Sequence, residues 1–118
     1  MSASRLISFP AHGAVEFLLG LALMVLPFAV GAEPAGVVVG VGLGVIVSGI
    51  ALTSVSPDRR GSTVSVSAHQ AYDQGIALGG AGAALVLAVA GQGPVALGIL
   101  VIAGALFALS IITRYSAR

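Results

Sequence analysis

From Pro34 to Val55, and again from Pro94 to Ile112, the chain carries no charged residue. Two further runs, Pro10 to Val30 and Ala68 to Ala90, contain one carboxylate each, Glu16 and Asp73. Four such runs of about twenty residues constrain the fold more than anything else here, because that length as a helix crosses a hydrocarbon core of roughly 30 Å. Only 8% of the 118 residues are charged and 58% are hydrophobic, whereas a soluble domain has about 25% charged residues. So few charges cannot cover a water-facing surface. The expectation is an all-α, four-transmembrane-helix bundle forming one membrane domain over residues 1–118, with the lipid bilayer as solvent.

The punctuation divides the four runs into two hairpins. Gly31-Ala32-Glu33-Pro34 and Gly91-Gln92-Gly93-Pro94 are tight turns, so the helices on either side of each are antiparallel neighbours. The polar stretch from Ser56 to Thr63 separates a first hairpin, 10–55, from a second, 68–113, through a loop at 56–67. Ser8 suits an N-cap ahead of Pro10 in the first turn. Ser67 with Gln70 three residues on fits a capping box for the third helix. Pro27 is expected to kink or loosen the end of the first span. Apolar segments continue to the end of the chain, so the first is read as a retained span rather than a cleaved signal.

An even number of crossings puts both ends and the middle loop on one side. All five basic residues, Arg5, Arg59, Arg60, Arg114 and Arg118, belong to those segments, while the opposite turns carry only Glu33. The positive-inside rule then places both termini in the cytoplasm of a plasma (inner) membrane.

The halves match each other. His12 and Glu16 correspond to His69 and Asp73 at one offset, and Pro34 and Gly44 to Pro94 and Gly104 at a slightly larger one. Both halves start on the same side, which makes this a parallel internal repeat of two homologous hairpins. A helix brings residues four apart onto one face, so each His-x-x-x-acid pair lies together near the cytoplasmic end. If the first and third spans face each other, two imidazoles and two carboxylates converge. That set suits a transition metal such as zinc, iron or manganese. Two histidines at one depth suit a haem held between them, and intramembrane carboxylates and histidines also serve as proton relays. A structural reading stands beside these: acidic residues favour the positive end of a helix dipole, and each pair could bond within itself or to Arg59 or Arg60.

Small residues form a second pattern. Gly36, Gly40, Gly44 and Ser48 lie on one face of the second span, and Ala71, Gly75, Gly79 and Ala83 on one face of the third, a glycine-zipper spacing. Such faces let helices approach closely in lipid, within the bundle or at an oligomer seam.

The run from Phe17 to Gly31, with Leu26-Pro27-Phe28 near its end, and the valine- and glycine-rich span from Pro34 to Leu52 resemble the SPW-repeat proteins. Those are small bacterial membrane proteins of two-span repeats. Serine and tryptophan of the Ser-Pro-Trp motif are both replaced, and the second half has Ala83-Ala84-Leu85 without proline. The resemblance implies a bacterial, four-span, two-repeat membrane protein and brings no activity or site residues. Gly40-Val41-Gly42-Leu43-Gly44 is similar to the glycine-rich helix of rotary ATPase proteolipids, but spans two and four lack the mid-helix carboxylate those need. Glu16 matches the early acidic residue of small multidrug transporters, yet the arginine bias opposes their paired opposite orientations and aromatic residues are few.

Cysteine is absent, which removes disulfides and thiolate chemistry. A net charge of +1 gives no sign of a nucleic-acid partner. No enzymatic constellation stands out. The leading expectation is a non-enzymatic accessory or self-associating subunit of a membrane complex. The alternatives are a metal- or haem-binding module using His12, Glu16, His69 and Asp73, and a proton-coupled carrier.

Overall fold

The computed structural model describes residues 7–54 and 65–113. Four α-helices follow one another: α1 (Phe9–Ala29), α2 (Pro34–Ala51), α3 (Val66–Val89) and α4 (Gly93–Ile112). All four are long and apolar enough to cross a membrane. The shortest, α2, has 18 residues and extends about 27 Å, close to the hydrocarbon thickness. Large apolar side chains such as Leu18, Val25, Phe28, Val38, Leu85 and Val101 point outward. A soluble fold would leave no such belt uncovered; a multi-pass membrane protein presents it to lipid.

The ends of the helices are set by local chemistry. Ser8 is extended at the N-cap of α1 and its hydroxyl accepts from the Ala11 amide at 3.3 Å. Ser65 does the same for α3, accepting from the Ala68 amide at 3.1 Å. The expected cap Ser67 lies inside α3 instead, because the helix begins two residues earlier than its apolar run. Among the described residues the loop 56–67 thus gives up its last two positions to α3, and α2 stops at Ala51 rather than Val55. The two turns close through Gly31 (φ 64°) and Gly91 (φ 87°), a left-handed backbone that other residues adopt at a cost.

Pro27 sits inside α1 and the helix continues past it to Ala29. Its ring packs on Gly40, where an added Cβ would meet Pro27 Cγ at 2.8 Å. The α1–α2 seam is tightest at Gly20 and Gly44: a Cβ on Gly44 would lie 2.6 Å from the Gly20 carbonyl oxygen, and one on Gly20 would lie 2.8 Å from the Ser48 amide nitrogen. Backbone meets backbone there, as small residues allow in lipid. The α3–α4 pair lacks that seam. An added Cβ on Gly80 would stand at ordinary distance from Ala103, and one on Gly104 would meet nothing within 4 Å among the described residues.

Between the hairpins α1 packs on α4 and α2 on α3. Leu26 drives onto Gly98. The apolar core gathers Leu23, Val47, Ala84, Leu87, Ile99 and Leu106 from all four helices. On the remaining diagonal, no Cα of α1 comes within 8 Å of one of α3. The gap between those two helices near their N-termini is where the polar side chains go.

Candidate metal centre

His12 and Glu16 occupy the first two turns of α1, and His69 and Asp73 the matching turns of α3. All four are sealed from solvent, at 0%, 1%, 0% and 2% exposure. Helical spacing puts His12 Nε2 3.4 Å from Glu16 Oε1 and His69 Nε2 3.3 Å from Asp73 Oδ1. The shorter pairs are the crossed ones. His12 Nε2 lies 2.8 Å from Asp73 Oδ2, and His69 Nε2 lies 2.9 Å from Glu16 Oε1. Each imidazole therefore pairs most closely with the carboxylate of the other hairpin. One ligand atom from each residue lies within 4.8 Å of all the others.

Two threonines complete the arrangement. Thr113, just past α4, has its hydroxyl 2.7 Å from His12 Nδ1. Thr53, just past α2, has its hydroxyl 2.9 Å from His69 Nδ1. Each hydroxyl already donates its single hydrogen to a carbonyl of its own chain end, Thr113 to Leu109 at 2.6 Å and Thr53 to Ile50 at 2.7 Å. A hydroxyl has one proton to give. With its hydrogen directed at that carbonyl, each threonine oxygen is placed to accept from an imidazole Nδ1–H, and both Nε2 atoms face inward. The crossing recurs: His12 leans on the end of α4 and His69 on the end of α2.

Phe9 covers the cluster at the helix ends. Its ring stacks on His12 with centroids 5.9 Å apart and meets His69 edge-on at 4.9 Å. A backbone hydrogen bond from the Ile7 amide to the Ile112 carbonyl, 3.0 Å, ties the chain before α1 to the end of α4. On the other side lies the apolar core. The four polar residues of α1 and α3, with the threonines just past α2 and α4, thus form one buried compartment.

Sequence spacing pairs each histidine with the acid on its own helix. The cross-pairing, the two threonines and Phe9 come only from the fold, although Thr53 and Thr113 share the offset that relates Pro34 to Pro94. Arg59 and Arg60, considered as partners of the acids, lie outside the described residues.

The small-residue faces divide. Gly36, Gly40, Gly44 and Ser48 are buried in α2, with Gly40 and Gly44 against α1 and Gly36 beside Ala32, Gln92 and Val95. Ala71, Gly75 and Gly79 are exposed and Ala83 is half-buried; a Cβ on Gly75 or Gly79 would meet nothing within 4 Å. Among the described residues nothing packs on Gly75 or Gly79 of this α3 face.

No protein-family model, curated protein or solved structure matches the chain.

Proposed function

We propose that this chain is a small, non-enzymatic integral membrane protein whose working part is a cation-binding compartment at one end of the bundle. The observation that carries this reading is the crossed cluster of two imidazoles and two carboxylates. Its charge must be balanced. Two carboxylates with neutral imidazoles leave two negative charges in a compartment sealed from water, a burial that costs several kcal/mol per ion. Positive charge at the centre removes that cost, either as protons on the Nε2 atoms or as a metal ion. Intramembrane ionisable groups of this kind mark functional sites by default.

The arginine distribution supports placing this end of the bundle in the cytoplasm. The recurrence of Ser8, His12, Glu16, Gly31 and Thr53 as Ser65, His69, Asp73, Gly91 and Thr113 supports reading the hairpins as two copies of one unit, in keeping with the SPW-repeat resemblance. A haem fits the cluster less well than a small cation, since the carboxylate oxygens occupy the space between the imidazoles.

The test is to determine the charge state of the centre in the purified full chain. Nitrogen-15 NMR of the histidines in detergent, with elemental analysis of the same sample, is expected to find either protonated Nε2 atoms or a bound metal. Neutral, metal-free imidazoles with lone pairs facing ionised carboxylates would overturn the reading.

A second reading has its own observation. The exposed Ala71, Gly75 and Gly79 face of α3 leaves open space where another helix fits, which favours a self-associating subunit or a partner in a larger membrane complex. A particle of monomer mass without co-purifying partner after mild solubilisation would count against it.

A further inference from the structure

We infer that the compartment is a binding site for one divalent first-row transition metal ion, held by His12 Nε2, His69 Nε2 and one oxygen each of Glu16 and Asp73, with Thr53 and Thr113 as positioning residues. The inference rests on the cation-binding reading above and goes beyond it, because protons alone would satisfy that reading.

Three observations carry it. The first is the donor set. Two neutral imidazoles and two carboxylates sum to two negative charges, so a divalent ion leaves the compartment neutral, as a lipid-surrounded interior requires. Borderline imidazole nitrogens with carboxylate oxygens suit zinc, iron, cobalt or manganese. Calcium and magnesium require six or more oxygen ligands or retained water, and monovalent copper prefers thiolate or thioether sulfur.

The second is shape. A tetrahedral ion with legs of about 2.0–2.1 Å has ligand–ligand edges of about 3.3–3.4 Å. The one edge within each helix already has that length, 3.4 Å from His12 Nε2 to Glu16 Oε1 and 3.3 Å from His69 Nε2 to Asp73 Oδ1. The crossed distances are shorter, 2.9 Å from His69 Nε2 to Glu16 Oε1 and 2.8 Å from His12 Nε2 to the other Asp73 oxygen, Oδ2. One donor atom from each residue lies within 4.8 Å of the others, so seating an ion requires the carboxylates to turn and α1 and α3 to shift, and no backbone contact between those two helices opposes it.

The third is independent of the four ligands. A metal-ligating histidine commonly donates its other ring N–H to a fixed acceptor, which sets tautomer and ring orientation. Thr113 and Thr53 provide that acceptor to both rings, and each is held in the accepting role because its own hydrogen is used on a carbonyl.

The site spans both hairpins. Each helix bearing ligands receives its orienting hydroxyl from the other hairpin, so the metal, the acids and the threonines together clasp the ends of the bundle. Phe9 shields the ion from water.

The experiment is a titration of the purified, metal-stripped full chain in detergent with cobalt(II), followed by competition with zinc(II). The expected result is one cobalt per chain with visible d–d bands of tetrahedral intensity, displaced by zinc. Thr53→Val and Thr113→Val should each weaken zinc binding by about 10–100-fold and alter the cobalt spectrum, while Thr53→Ser and Thr113→Ser restore both. A merely structural threonine would lower thermal stability without moving the spectrum. Octahedral or absent cobalt bands, or valine variants that bind zinc as the parent does, would overturn the inference. Should the valine variants fail to fold, the parent spectrum and stoichiometry still decide. Nε2 protonation persisting in excess zinc would sink the metal site while leaving the cation-binding reading intact; neutral, metal-free imidazoles would sink both.

Discussion

At the scale of single residues, the buried cluster makes a sharp demand. Glu16 Oε1 lies 2.9 Å from His69 Nε2 across the hairpin boundary, and both residues are sealed from solvent. Removing one member of such a buried pair leaves the other without compensation, at about 3–5 kcal/mol. Glu16→Ala and Asp73→Ala are therefore expected to destabilise the protein by that amount, measured by unfolding in detergent, and to do so alike because the roles are reciprocal. Metal affinity is expected to fall as pH is lowered, with protons released on binding, since Nε2 must give up any proton before it can ligate; calorimetry in buffers of differing ionisation enthalpy counts those protons. The remaining buried hydroxyls need no such partners. Ser48, Ser54 and Ser110 each donate to a carbonyl three or four residues back, the usual way a lone hydroxyl is satisfied inside a helix.

At the scale of elements, the two hairpins differ in their packing. The first closes through Gly20 and Gly44, where a Cβ on Gly44 would lie 2.6 Å from the Gly20 carbonyl and 2.9 Å from the Met24 amide nitrogen. Backbone atoms cannot rotate away. Gly44→Ala should thus push α1 from α2 and cost about 1–3 kcal/mol. Gly79→Ala on the open face of α3 meets nothing and should be neutral or stabilising by up to about 1 kcal/mol through helix propensity. Unfolding of the two variants side by side checks the contrast. A reversal of that order would show that the α3 face, not the α1–α2 seam, carries the close approach.

For the whole molecule, four apolar helices paired by short turns, α1 with α2 and α3 with α4, place the starts of α1 and α3 and the ends of α2 and α4 at one end. The cluster occupies that end, and the turns around Gly31 and Gly91 occupy the other. Single cysteines introduced at Arg59 and Arg118 should react with an impermeant thiol reagent from the same side of the membrane, and one at Glu33 from the opposite side. Labelling of Arg59 and Arg118 positions from opposite sides would contradict the four-crossing topology.

Much of this was legible in the sequence for a simple reason. Apolar runs of bilayer length, interrupted by Gly-Ala-Glu-Pro and Gly-Gln-Gly-Pro, can satisfy their backbone in lipid only as helices, and helical periodicity alone puts His12 beside Glu16 and His69 beside Asp73. What periodicity cannot express is a contact between elements. Which carboxylate each imidazole prefers depends on how α1 and α3 stand across the bundle, and that is decided by the packing of Leu26 on Gly98 and of Gly44 on Gly20. Nothing in the sequence singles out Thr53 and Thr113, because the histidines they meet lie in the opposite hairpin, far away in the chain. Gly75 and Gly79 have the spacing of a packing face just as Gly40 and Gly44 do; only the tertiary arrangement decides that one face meets a backbone and the other stays open, because which side of a nearly all-apolar helix turns inward is not encoded in its hydropathy.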